Sequence, residues 1–442
     1  MNRTVIIGGG ITGLSATWTL CQASTSDEII LLEQSKRLGG SIYTEHLNGF
    51  LMEHGPDVFV ANKPEAVQLC ESLGLPLQKT NESQRGVYLR CGSSMHVVPS
   101  GLVPQRIWPL LNSPLLSIRG KLRVLAELML PVRKDVADES VADFFMRRFG
   151  REAFTTLMKP LIGGFAGDDV EHLSMQALLP HVQSLESKYG SLLLSANRIP
   201  SDKLEASFRS LPTGLSSLVD ALHRSTKESI QLGSQVTEIQ RTDTCWNVSI
   251  AGRSGLSATH LILAVPAWVA AKLTGSLNAE LGDLLRSIPY RAGTMVHLAY
   301  RQTDVKRSLR GHGHLVSPDG HDVISACTWS ANKLIGRSPT EHQLFRLYLR
   351  GVDLSDSAVI MLAKAEMKKA LHITASPLLT RLYRYSAALP QYRLGHRDQI
   401  RKIQRIIKSL EGLYLAGNFI DGVGIPDCIR NGTQAANQIL QQ

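Results

Sequence analysis

The feature that most constrains this chain is a glycine turn set between two apolar runs. Thr4-Val5-Ile6-Ile7 is short, apolar and largely β-branched, and Gly8, Gly10 and Gly13 follow it in GxGxxG spacing. Such a run, with no polar alternation, reads as a strand buried on both faces of a parallel sheet. Leu14 to Cys21 reads as a helix, and Glu28 to Leu32 as a second strand that ends on Glu33. Glu33 lies twenty residues past Gly13. Strand, glycines, helix, strand and acid in this order specify a dinucleotide-binding unit. Gly8 permits the tight turn out of the strand. Gly10 lets the backbone approach a pyrophosphate, and Gly13 lets the helix pack on the strand. The helix start then offers unpaired N–H groups and a positive dipole end to the phosphates. Glu33 can accept hydrogen bonds from ribose hydroxyls.

The unit alone leaves FAD and NAD(P) both open. A second glycine pair, Arg37-Leu38-Gly39-Gly40, follows Glu33, and another glycine turn stands at Glu53-His54-Gly55-Pro56-Asp57. Repeated glycine suits backbone that packs against a long, extended cofactor. No second strand–GxGxxG–helix unit follows. Gly163 to Gly167 is rich in glycine but succeeds a helical pattern, so a single dinucleotide site is expected. Near the C-terminus Leu413 to Ala416 reads as a strand, and Gly417, Gly422 and Gly424 as a turn. Asp427 is expected to cap a helix from Cys428 toward Leu440. That second helix start suits the N1–C2=O edge of a flavin, which turns negative on reduction. Leu232 to Ile239 and Leu261 to Pro266 read as further strands, so the nucleotide domain is built from separated pieces of chain.

Composition narrows the class. Of 442 residues, 43% are apolar and 19% charged, as in a globular protein with a sizeable core. No run approaches the ~20 apolar residues of a spanning helix. Met1-Asn2-Arg3 leads straight into the first strand, so no leader sequence is expected there and a cytoplasmic location is. Cys21, Cys70, Cys91, Cys245, Cys327 and Cys428 form no CxxC pair, which argues against a disulfide framework or a zinc knuckle. The histidines give no metal-ligand spacing. His312-Gly313-His314 comes closest and reads as a loop, so no metal is expected. Asp168-Asp169 reads as a turn before a helix.

The net charge of +10 points to an anionic partner. Between Arg381 and Lys408 lie eight basic residues and one acid, Asp398, with Ile400, Ile403, Ile406, Ile407 and Leu410 forming an apolar helical stripe. No nucleic-acid motif accompanies them, so nucleic acid is not the expected partner. Carboxylates, a lipid surface or a plain solvated face remain.

Along most of its length the sequence resembles the FAD-dependent protoporphyrinogen/coproporphyrinogen oxidase family of the flavin amine-oxidase superfamily. The resemblance is carried by GGGITGLSA, QSKRLGGSI, MEHGPDVF, the stretch from Leu161 to Pro180, Pro390-Gln391-Tyr392 with Gly395-His396, and Leu415-Ala416-Gly417-Asn418 through Ile429. It implies an α/β fold. A discontinuous Rossmann-like FAD-binding domain would comprise residues 1–80, 205–285 and 385–442. A mixed-sheet substrate domain would span 286–384, and an inserted helical, membrane-facing region 85–204. It implies non-covalent FAD held at Gly8, Gly9, Gly10, Thr12, Gly13, Leu14, Glu33, Gln34, Arg37, Gly40, Ser41, Gly55, Pro56, Asp57, Val58, Val236, Val423, Gly424 and Ile425. Tyr385 stands where the family often has a tryptophan near the flavin. Arg85 lies two residues from the position at which some members clamp a propionate, and Phe165 is a candidate wall of the substrate site with Phe144, Phe145 and Phe149.

The resemblance also implies the reaction. Three two-electron hydride transfers from a porphyrinogen to FAD N5 would give a porphyrin, with dioxygen as acceptor and hydrogen peroxide as product. No catalytic triad is then required, since the cofactor carries the chemistry. Coproporphyrinogen III and protoporphyrinogen IX both suit, and a ferrochelatase would receive the product downstream. The amphipathic stretch from Leu110 to Leu130, with Arg119, Lys121 and Arg123, corresponds to the family's membrane-facing region, with peripheral contact as the expectation. Other superfamily oxidases, acting on amines or polyenes, and a non-catalytic tetrapyrrole-binding flavoprotein are the competing readings.

Overall fold

A computed structural model describes residues 2–23, 27–84, 86–99, 107–133, 137–166, 170–198, 207–317, 323–351 and 353–442. Its first layer is a five-stranded sheet in the order Ile230–Leu232, Glu28–Glu33, Arg3–Ile7, His260–Leu263 and Leu413–Leu415. Every pairing in it is parallel. The apolar runs alternate between two cores. Ile6, Leu31 and Ile262 face the helices Ile11–Gln22, Ser216–Thr226 and Ile425–Leu440. Val5, Ile7, Ile30, Leu32, Leu261 and Leu263 face the opposite core, which includes Trp246 and Ile403. Both faces are thus covered, which is why these strands carry no polar alternation.

The second layer is a seven-stranded mixed sheet. Its order is Leu379–Pro390, Tyr290–Arg301, His342–Leu349, Ile324–Trp329, Gly313–Val316, Val87–Cys91 and Ser94–Val97. The helix Asp356–Leu371 covers one face through Val359, Ala363 and Met367. Helices between residues 107 and 198 form a third core, in which Phe144, Phe145 and Phe149 are fully buried. Ser140 and Ser174 start two of these helices by accepting the Asp143 and Ala177 N–H groups, each at 3.0 Å.

The structure revises several expectations. The stretch 232–239 is two elements: Ile230–Leu232 in the parallel sheet and Val236–Arg241 in a separate antiparallel sheet. Gly233, with φ +62°, breaks the strand between them. His314 lies in a strand rather than a loop, buried between Glu366 at 2.9 Å and the Trp329 indole N–H at 3.2 Å. Two strands of the large sheet, 87–91 and 94–97, occupy the start of the expected helical region. The strand Leu379–Pro390 runs through residue 385. The stretch 110–130 is several short helical pieces; Ile118–Leu125 is one, starting at Ser117. Asp168 and Asp169 lie outside the described residues.

The helical core contains a buried charge pair. The Arg148 and Glu127 side chains are both fully buried and in direct contact. Ser191 and the Leu192 N–H also donate to the Glu127 carboxylate. Without Glu127 the buried Arg148 guanidinium keeps its desolvation cost and, of the carboxylates among the described residues, only the more distant Glu186, at 3.4 Å. Glu127→Leu is therefore expected to lower unfolding free energy by about 3 kcal/mol, read as a shift of the urea midpoint.

Candidate functional site

The glycine turn behaves as three different devices. Gly8 adopts φ +111°, and a Cβ there would stand 2.4 Å from the Ala264 carbonyl oxygen. A Cβ on Gly13 would stand 1.9 Å from the Gly8 carbonyl oxygen. These two glycines serve the fold itself, one through its dihedral and both through close approach. Gly10 differs. It is the helix N-cap with φ −72°, open to any residue, and a Cβ on it would meet no atom within 4 Å. Nothing in the polypeptide requires glycine there, so the bare space over the helix start is room for something else.

That space has a polar frame. The Glu33 carboxylate accepts from the Gly9 N–H at 2.7 Å and the Ser35 N–H at 2.8 Å, which fixes it at the strand end. Gln34, Arg37, Gly40 and Ser41 are exposed along the rim. Arg37 donates to the Gly40 carbonyl at 2.8 Å and lies over the Tyr43 ring. The backbone at Gly55 passes so close to Ser41 that a Cβ would stand 1.9 Å from its carbonyl oxygen. Thr12 and Leu14 are buried in the first helix. Gly55, Pro56, Asp57, Val58, Val236, Val423 and Gly424 are partly exposed.

The second helix start is adjacent. Its helix begins at Ile425 with Gly424 as N-cap, three residues earlier than the expected start at Cys428. Asp427 is the third helical residue, accepting from the Gly424 N–H at 3.2 Å. It also accepts from Lys63 at 2.7 Å. The two glycine-started helices cross closely, for a Cβ on Gly432 would stand 2.1 Å from the Thr12 carbonyl oxygen. This contact brings both positive helix ends into one region.

Polar groups from the large sheet brace the Gly55 turn. Arg346, almost fully buried, donates to the Gly55 carbonyl and stands 3.9 Å from Asp57. Lys333 holds Asp57 at 2.8 Å. Burial alone would raise the Asp57 pKa, but the Lys333 and Arg346 cations outweigh it and hold it at about 2. The His297 Nε2–H donates to the Glu53 backbone carbonyl at 3.1 Å. Burial, reinforced by Arg346, pushes its pKa down to about 3, so the ring is neutral near pH 7. Glu45 gathers Tyr383, Arg381 at 3.0 Å and His54 at 3.0 Å, and His54 stacks on Tyr383. The hairpin Thr44–Leu47 and Phe50–Glu53 is thereby anchored to the strand that carries Tyr385.

Tyr385 lies opposite Gly293 and lines a cleft of about 780 Å³ with Tyr290, Gly293 and Gln391. Phe144, Phe145 and Phe149 are packed in the helical core, whereas Phe165 is exposed. Arg85 lies outside the described residues. Arg346, Lys333 and His297 escaped the sequence reading. A visible signal existed, because Arg346 interrupts the apolar strand run Leu344-Phe345-Arg346-Leu347.

Residues 11–440 match the family described as flavin containing amine oxidoreductase. The chain belongs to this family. It is 31% identical to the coproporphyrinogen III oxidase of Bacillus subtilis strain 168, with 99% of this chain and 98% of the relative covered. It is 30% identical to the protoporphyrinogen oxidase of Bos taurus, covering 100% and 99% of the two chains. A crystal structure described as a putative protoporphyrinogen oxidase from Exiguobacterium sp. 255-15 superposes with a TM-score of 0.88 at 28% identity, covering 100% and 99%. Cyclohexylamine oxidase from Brevibacterium oxydans shares the fold at 15% identity and a TM-score of 0.73.

As a member of this family the protein is an FAD-dependent oxidoreductase, and its residues fit the cofactor. The uncovered Gly10, the fixed Glu33 carboxylate and two converging helix starts suit a pyrophosphate, a ribose and an electron-rich ring edge. Two substitutions separate fold from ligand. Gly13→Val is expected to give misfolded, insoluble protein. Gly10→Val is expected to give a normal circular dichroism spectrum and melting profile of the apoprotein but no bound flavin absorbance after purification. A yellow Gly10→Val protein would refute the assignment of this turn.

Proposed function

We propose that this flavoprotein oxidises coproporphyrinogen III to coproporphyrin III in haem biosynthesis, removing six electrons in three two-electron steps with dioxygen as acceptor. One porphyrinogen and three dioxygen would yield one porphyrin and three hydrogen peroxide. What carries the reading is end-to-end similarity, at 31% identity, to a protein named coproporphyrinogen III oxidase. Protoporphyrinogen IX is the second candidate substrate, supported by the Bos taurus relative.

FAD, when bound, supplies the hydride acceptor. The chain's own residues have simpler tasks. The glycine turn and Glu33 hold the adenosine and pyrophosphate end. Gly55 to Val58, braced by Arg346 and Lys333, and Val423 to Ile425 border the ring end. Tyr385 and Gly293, paired in register, form a sheet floor against which the puckered macrocycle, with its saturated meso carbons, can be seated. Among the described residues no group of three metal-ligating side chains occurs. His297, neutral and buried, adds no charge near the Gly55 turn. Protons released from the pyrrole nitrogens pass to solvent through the cleft.

The test is direct. The purified holoprotein is mixed in air with coproporphyrinogen III or protoporphyrinogen IX, and porphyrin fluorescence and peroxide are followed against a protein-free blank. Acceleration with three peroxides per porphyrin is expected. No acceleration with either substrate refutes the reading.

A peripheral lipid contact belongs to the same proposal. No helix among the described residues is long and apolar enough to cross a membrane. Yet Ile118, Leu122 and Met129 are exposed at 78%, 61% and 87%, and Arg119 beside them is exposed too. An apolar edge flanked by basic residues suits an anionic lipid surface. The wild type is expected to float with vesicles containing anionic lipid, and Ile118→Ser/Met129→Ser to remain below. Equal flotation of both would remove this edge from the proposal. Product would then pass to a ferrochelatase.

A further inference from the structure

The cleft beside Tyr385 has an unusual charge balance. Arg291, Arg350, Arg384 and Arg393 all line it, with Asp353 the one carboxylate lining it among the described residues. Four arginines around one concavity, Arg384 among them paired with Asp356, give it a positive bias and planar forks suited to carboxylates. They come from three places in the chain that only the sheet unites. Arg291 sits at the start of Tyr290–Arg301, Arg350 just past His342–Leu349, and Arg384 on Leu379–Pro390. Arg384 is held by Asp356 at 2.9 Å and by the Leu354 carbonyl at 2.6 Å. Arg291 and Arg393 flank Gln391: Arg291 pairs in register with Leu389, and Arg393 follows Gln391 by two residues.

Gln391 supplies an independent observation. Only 7% exposed, it lines the same cleft. Its Nε2 donates to the Ala166, Leu389 and Pro390 carbonyls at 3.1, 3.3 and 3.4 Å, so the amide orientation is settled by three acceptors. Its Oε1 is buried and accepts no hydrogen bond from the described residues. A buried carbonyl oxygen left without a donor is costly and calls for a ligand N–H or an ordered water. Arginines and amide oxygen together describe a ligand with several carboxylates at its edge and an N–H within its body.

We infer that this cleft seats the carboxylate edge of the substrate, with Arg291 and Arg393 favouring a four-carboxylate macrocycle over a two-carboxylate one and Gln391 accepting from a ring N–H. The inference deepens the porphyrinogen reading and rests on it. A porphyrinogen offers four pyrrole N–H donors. Coproporphyrinogen III carries four propionates and protoporphyrinogen IX two, so the larger anion gains more from the guanidiniums. The same contacts place the ring beside Gly293, where a Cβ would stand 3.2 Å from the Ala388 methyl group.

The test compares the full-length holoprotein with Arg291→Gln, Arg393→Gln, their lysine counterparts and Gln391→Leu. Steady-state kcat/KM is measured for both porphyrinogens, and binding of coproporphyrin III is followed by fluorescence at low and high salt. Each Arg→Gln change is expected to lower kcat/KM for coproporphyrinogen III about tenfold, and that for protoporphyrinogen IX less than threefold. The lysine variants should recover part of the loss, and flavin absorbance should not change. Gln391→Leu should weaken coproporphyrin III binding with flavin content intact. An unchanged ratio between the two substrates in both Arg→Gln variants would overturn the inference while leaving the proposed function standing. If the wild type oxidises neither porphyrinogen, the proposed function fails and binding alone judges the cleft. Salt-sensitive coproporphyrin III binding that weakens about tenfold in Arg291→Gln and Arg393→Gln supports it, and binding that is absent or insensitive to them overturns it.

Discussion

The closest approach of backbone to backbone in the first layer governs everything built around it. Gly13 lies against the Gly8 carbonyl and Gly8 against Ala264, at separations that leave no room for a Cβ. These contacts press the first helix onto the strand Arg3–Ile7 and lock that strand beside His260–Leu263, a partner more than 250 residues away in sequence. The helix start can then face a space that the chain itself does not fill. Loosening either contact would move the helix end away from Glu33, whose carboxylate is fixed by the Gly9 N–H.

A second contact of the same kind transmits this geometry to the end of the chain. Gly432 rests against the Thr12 carbonyl, so the C-terminal helix docks on the first helix with its own start nearby. Asp427, buried between Lys63 and Arg430, caps that start from inside the helix. Two helix dipoles therefore converge from opposite ends of the sequence. The large sheet reaches the same region differently, through charged side chains. Arg346 and Lys333 grip the Gly55 turn and Asp57, while Glu45 binds Tyr383 and Arg381. Backbone packing orders the first layer, and charged side chains fasten the large sheet to it.

The excess of positive charge gains a location from this arrangement. Arg381 is paired with Glu45, and Arg384 with Asp356. Arg384 and Arg393 line the cleft with Arg291 and Arg350. On the helix His396–Ser409, Ile400 and Ile403 are buried whereas Arg397, Arg401, Lys402, Arg405 and Lys408 face solvent. The basic segment thus divides into a part that shapes the cleft and a part that is a solvated helix face. Sequence alone could not make this division, because only strand pairing shows which basic residues border a cleft.

Local chemistry was enough to reveal the nucleotide layer. Glycine tolerance, strand apolarity and the spacing to Glu33 are properties of neighbouring residues, and they survive in the linear order. The C-terminal glycine turn was legible for the same reason, although its helix starts at Ile425 because Asp427 caps from the third position rather than the first. The cleft was not legible. Its arginines come from separate strands, its floor from a register that pairs Gly293 with Tyr385, and its amide oxygen from three carbonyls that orient Gln391. His314 likewise read as a loop residue, since only tertiary packing supplies Glu366 and Trp329 to a buried imidazole. The sequence by itself determined the glycine-turn unit, with its helix start and strand-end acid, that suits a dinucleotide. The tertiary structure decided which charges gather beside it, because strand pairing across hundreds of residues sets that neighbourhood and no local pattern records it.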